Sequence, residues 1–199
     1  MRFSLLIPAT LMAAACGVWL APSAAVAAPS PAAAGRYSID AKHSSVLFRI
    51  KHMDVSWSFG RFAKFSGDFS LDEDLAKCQV SIDIDAASVD TFDSGRDTHI
   101  KGTDFLSVKE FPSIKFQSGK VERDGDDYKV HGDLSFHGVT KPVVLEMIKI
   151  GEAETKMGQR AGFLGKVTLL RRDFGVETYP NEVLSNEVHL TLSIEGVEH

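Results

Sequence analysis

Cysteine is nearly absent from this 199-residue chain, which holds only Cys16 and Cys78. Cys16 falls in an apolar N-terminal stretch, so Cys78 stands alone in the body of the chain and no internal disulfide can staple the fold. An apolar core must hold it unaided. A lone thiol can react or link two chains, and a homodimer stays open. Cys78 nevertheless falls in phase with Val80, Ile82 and Ile84 and reads as a small buried hydrophobe. Basic runs are missing too, and the net charge is −5, which argues against nucleic acid as a partner. Tyrosine and tryptophan are scarce, 3 and 2 residues against 13 phenylalanines, so the aromatic surface mostly lacks polar handles. There is no nucleophile motif, no glycine-rich phosphate loop and no pair of histidines at metal-ligand spacing.

The one long apolar stretch is Phe3 to Ala28, preceded by the single charge of Arg2 and ending in Ala25-Val26-Ala27. A positive start, an apolar middle and a small-x-small end are the parts of a secretory signal. Pro8, Pro22 and the many alanines make it a poor membrane anchor, and Cys16 lacks the leucine expected three residues before a lipidated cysteine. The expected layout is a signal peptide over residues 1–27, a Pro/Ala/Ser leader without order over 28–35, and one domain over 36–199. A cleaved leader places the domain in the periplasm.

What is abundant is alternation. Val46, Phe48, Ile50 and His52 share one side of a segment; Phe65, Gly67, Phe69 and Leu71 share another, and Cys78, Val80, Ile82 and Ile84 a third. Ile114, Phe116 and Val121 lead to a hairpin at Asp124-Gly125, and Tyr128, Val130, Leu134 and Phe136 return from it. Val143, Leu145 and Met147, then Phe163, Val167 and Leu169, then Val188, Leu190, Leu192 and Ile194 complete the series. Gly151 to Gln159 reads as a loop, Val55 to Phe62 as a bend or short loop, and Ser94 to Phe105 as a short helix. The fold class is all-β, an antiparallel barrel of about eight strands with a short helix near one end; a two-sheet sandwich is the competitor. Such a barrel is either filled by its own side chains or holds one small ligand.

Several motifs in order resemble the YceI-like family of exported lipid-binding proteins. They are Tyr37-Ser38-Ile39-Asp40, His43-Ser44 leading to Val46, Phe48 and His52, Gly60-Arg61-Phe62, and Phe65-Ser66-Gly67. Then come Arg96-Asp97 with His99, Gly102-Thr103-Asp104-Phe105, and Phe111-Pro112 with Ile114-Lys115-Phe116. Gly132-Asp133-Leu134, His137-Gly138-Val139-Thr140-Lys141-Pro142 and Arg172-Asp173-Phe174-Gly175-Val176 follow. Leu106 departs from the pattern, standing where many relatives carry a second aromatic after Phe105. The resemblance implies a lipocalin-like barrel with an elongated apolar cavity for isoprenoid chains, including quinone-type lipids, and no other cofactor.

On that basis the expected cavity wall is Phe48, Ile50, His52, Phe62, Phe65, Phe69, Val80, Ile82, Ile84, Phe105, Ile114, Phe116, Leu134, Phe136, Val167, Leu169, Phe174, Leu190 and Leu192. Arg61, Arg96, His99 and Arg172 are the candidates for the rim and a lipid head group. Period-two phenylalanines are equally explained by core packing, and it is the resemblance that favours a cavity. Arg96, Asp97, His99 and Asp104 read first as a local network, with acid–base chemistry on a lipid-like substrate as the alternative. His137 sits in a turn, and His189 faces the polar side of the last strand. The leading expectation is a periplasmic, non-enzymatic carrier or store for an isoprenoid or other long amphiphile. An enzyme, and a stress-related interaction protein with a filled barrel, are the alternatives.

Overall fold

The computed structural model describes residues 35–199. The signal peptide expected over residues 1–27 and nearly all of the leader lie outside them. Eleven strand segments and one helix follow in chain order: β1 (Gly35–Ile39), β2 (Ser45–His52), β3 (Ser56–Phe62), β4 (Phe65–Leu71), β5 (Gln79–Asp85), β6 (Val89–Asp90), α1 (Ser94–Ile100), β7 (Ser113–Asp124), β8 (Asp127–Phe136), β9 (Val139–Thr155), β10 (Gly158–Leu170) and β11 (Leu184–Glu198).

Register shows that these segments make eight staves. β11 pairs through Gly196–Glu198 with β1 and through Leu184–Ser193 with β2, so β1 and β2 are two halves of one stave. β3 and β4 form the next, pairing with β2 and β1 in turn, and β5 and β6 form the third. Every stave pairs antiparallel with its chain neighbours, and β11 returns to the first to close the ring. The ring has no terminal strand, which suits a fold without a disulfide.

The three broken staves bend where polar side chains replace ladder bonds. Asp40 accepts from the Lys42 N–H at 3.0 Å, turning the chain between β1 and β2. Ser44 Oγ accepts from the Glu195 N–H at 2.9 Å and keeps that stave attached to β11. At the second and third breaks, Ser88 Oγ accepts from the Lys64 N–H at 3.0 Å, while Asp85 caps a 3-10 turn over Ala86–Ser88.

Two expectations are corrected. Val55–Phe62 is not a bend: residues 56–62 are β3, with small residues inside (Ser58, Gly60) and aromatics outside (Trp57, Phe59). A Cβ on Gly60 would come within 2.3 Å of the Phe48 ring, so glycine there makes room for a phenylalanine from the neighbouring stave. Gly151–Gln159 is no loop either. β9 and β10 run on through it as a hairpin turned at Lys156 and Met157, polar because most of its residues are wet. β9 also starts at Val139, with Pro142 inside it. The helix lies where expected, capped by Asp93, which accepts from the Arg96 N–H at 2.8 Å. Cys78 is half-buried immediately before β5, packed against the core. Burial pushes its thiol pKa up, the behaviour of a small hydrophobe rather than a reactive group.

Candidate functional site

The barrel interior is filled at one end and hollow at the other. At the filled end Tyr37 stacks on Phe69 with centroids 5.0 Å apart, and Phe163 meets Phe69 edge-on at 5.5 Å. Toward the other end the inward side chains leave a cavity of about 570 Å³, within the ordinary range for a small-molecule site. Its deep wall is aliphatic and phenylalanine: Ile82, Ile84, Ile114, Phe116, Leu134, Leu145 and Leu192. Polar groups gather where the β2–β3 turn, α1 and the segment after β10 meet, at His52, Thr91, Arg96, His99, Arg171 and Tyr179.

Most residues expected on the wall are there: Phe48, Ile50, His52, Phe62, Ile82, Ile84, Phe105, Ile114, Phe116, Leu134, Phe136, Val167, Leu169, Leu190 and Leu192. Four are not. Phe69 belongs to the aromatic stack, and Val80 is its register partner at that filled level. Phe65 packs against the core beside Ile84 without reaching the hollow. Phe174 ends a 3-10 turn after β10, buried against Phe136 at 5.4 Å. Alternation reports which way a side chain points, not how far along the barrel it stands.

Of the four rim candidates, Arg96 and His99 line the cavity. Arg96 donates to the Thr91 hydroxyl at 2.8 Å, and Asp97 accepts from both the hydroxyl and the N–H of Thr91. His99 lies 3.6 Å from Asp104 and edge-on to Phe105 at 5.1 Å. Asp97 thus serves Thr91 and His99 faces a different carboxylate, which is the local network expected. Arg172 stands apart from it, holding Asn181 and the Tyr179 carbonyl, and Asp173 pairs with Lys141. Arg61 points away from the cavity and pairs with Asp90 at 2.8 Å. His137 bonds the Phe174 carbonyl from its turn, and His189 is on the outer face beside Thr168.

Sequence reasoning missed Arg171, which is 3% exposed. Its guanidinium donates to four main-chain carbonyls, of Val176, Tyr179, Leu184 and Ser185, at 2.7–2.9 Å. It thereby fixes the segment carrying Val176, Tyr179 and Val183 across the cavity mouth. Burial, with Arg172 adjacent, draws its pKa down.

A family model described as the YceI-like domain matches residues 37–196, nearly all of the described chain. The chain belongs to the YceI-like family. It is 41% identical to Protein YceI of Escherichia coli O17:K52:H18 over 171 residues, covering 84% of this chain and 89% of that protein. A UPF0312 protein of Pseudomonas aeruginosa is 40% identical over 182 residues, covering 89% of this chain and 95% of that one. Among solved structures, BcnA of Burkholderia cenocepacia matches with a TM-score of 0.73 at 23% identity, over 79% of this chain and 98% of that chain. A polyisoprenoid binding domain of Saccharophagus degradans matches with a TM-score of 0.62 at 17% identity, over 82% and 98%. Both share the fold of this YceI-like chain.

Outside the cavity, Asp40, His43 and Glu195 stand close enough to share a cation, but a guanidinium already fills that role. Arg160 donates to Asp40 at 3.1 Å and to Glu195. Hydrogen bonds from His43 and then Arg160 hold the Asp40 carboxyl down at about 2, against an ordinary 3.8. A depressed carboxylate stabilises the fold above its unfolded pKa and loses that effect as pH falls through the folded one. The stabilisation from Asp40 is therefore complete above 3.8 and disappears on acidification toward about 2. Asp40→Asn should lower the urea midpoint at about pH 5, and the gap from wild type should close near about pH 2.

Proposed function

We propose that this YceI-like protein holds a long-chain isoprenoid or quinone-type lipid in its barrel cavity, for carriage or storage in the periplasm after its leader is removed. The observation that carries the reading is the cavity: about 570 Å³, with a wall mostly of aliphatic and phenylalanine side chains and most of its polar groups gathered toward its mouth. An alkyl or prenyl chain enters such a wall without leaving buried polar groups unpaired. Each methylene transferred from water contributes about 0.8 kcal/mol, so a long chain binds firmly without specific contacts. The fold shared with a domain named for polyisoprenoid binding supports the same reading.

Organic extraction and mass spectrometry of protein purified from its periplasmic fraction should recover a prenyl lipid in near-stoichiometric amount. Ubiquinone with a short prenyl tail should bind the stripped protein with micromolar affinity or better. No recovered lipid together with no quinone binding would refute the proposal.

A further inference from the structure

The barrel wall is incomplete on one side. The β9–β10 ladder runs from Gly158↔Thr155 to Lys166↔Glu146 and stops there, although β10 continues to Leu170 and β9 begins at Val139. Both free lengths keep their other neighbour: Val139–Leu145 stays paired with β8, and Val167–Leu170 with β11. The two strands therefore splay only from one another. Pro142, which has no N–H to give a ladder, lies in the free length of β9. A groove of about 790 Å³ runs over the slit. Phe48, Val143, Val167, Leu169 and Leu190 line both this groove and the inner cavity, so a single layer of side chains separates the two.

The outer side of the groove is polar and carries cations. Arg49, His189 and Thr168 form a row across β2, β11 and β10, and Thr168 Oγ1 lies 2.9 Å from His189 Nδ1. Lys166, on the last rung of the ladder, borders the same groove. Among the described residues Arg49 and Lys166 form no ion pair within 4.0 Å; Arg49 lies over the Trp57 ring instead, 4.5 Å from its centroid. Of the two carboxylates lining the groove, Asp173 is paired with Lys141 at 3.5 Å and Glu146 stands at its edge opposite Lys166, while Glu187 beside it lies 3.6 Å from His189 Nε2.

We infer that the slit is a side entrance to the cavity, and that the groove above it holds the polar end of the bound amphiphile, an anionic head group fitting best between Arg49, Lys166 and the Thr168–His189 pair. The inference rests on the lipid-binding reading and adds to it a route and a head-group class. Parting β9 and β10 further breaks no ladder bond between them, because none joins them beyond Lys166. The axial mouth is less free, since Arg171 pins the segment that crosses it.

Geranylgeraniol and geranylgeranyl monophosphate share one tail and differ in head-group charge, so titrating the lipid-stripped protein with both separates tail from head. R49Q/K166Q should weaken the phosphate about tenfold or more and leave the alcohol unchanged. V144W, at the exposed outer lip of the slit, should slow association and release of both ligands about tenfold at unchanged affinity. Unchanged phosphate affinity in R49Q/K166Q, or its selective loss in R96Q instead, puts the head group elsewhere and overturns the inference while leaving lipid binding intact. Wild-type protein that binds neither ligand overturns the lipid reading and the inference together.

Discussion

Replacing Arg171 with leucine is expected to cost the fold about 3–5 kcal/mol, read as a lower urea midpoint at unchanged slope. The reason lies in its partners. Its donors meet the carbonyls of Val176, Tyr179, Leu184 and Ser185, and among the described residues it pairs with no carboxylate. Main-chain carbonyls cannot be substituted away, so removing the guanidinium strands acceptors instead of deleting a matched pair. Each stranded buried acceptor costs about 1–3 kcal/mol, and water reaching the outer ones keeps the total below the simple sum. Arg171→Lys should recover only part of the loss, because an ammonium offers three donors from one point and cannot span four carbonyls. Both variants should also weaken lipid binding, since Val176, Tyr179 and Val183 line the mouth that Arg171 fixes. A loss under about 1 kcal/mol would mean that water replaces the guanidinium, and the structural role assigned to it would fall.

Arg171 also marks the limit of what sequence can tell. A buried arginine paired with a carboxylate leaves a partner to look for; one paired with main-chain carbonyls leaves none. The staves were legible wherever one side of a strand is apolar and the other polar. β3 was hidden because it inverts that rule, placing Ser58 and Gly60 inside and Trp57 and Phe59 outside. The inversion follows from Phe48, whose ring occupies the space over Gly60. The direction of most cavity residues was readable, but their level was not, and so Phe69 and Val80 were assigned to a wall when they stand at the filled end. The slit between β9 and β10 left only Pro142 as a trace, because unpaired backbone has no residue signature of its own.

Filling the cavity from two sides should separate binding from stability. Leu134 on β8 and Leu192 on β11 both face the hollow from staves well apart around the ring. Changing both to phenylalanine adds volume where there is open space, in residues with no polar atom to satisfy. If the added rings displace about three methylenes of a bound chain, at about 0.8 kcal/mol each, affinity falls by about 2.4 kcal/mol, or roughly fiftyfold. The empty protein should be unchanged or up to about 1 kcal/mol more stable, because filling a void restores contacts that its lining lacks. A barrel that packs its own side chains responds in the opposite sense, losing about 1–3 kcal/mol to overpacking. Urea unfolding of the double variant therefore distinguishes a hollow barrel from a filled one without any ligand. Quinone titration of the same variant then reads whether that hollow is where the lipid sits.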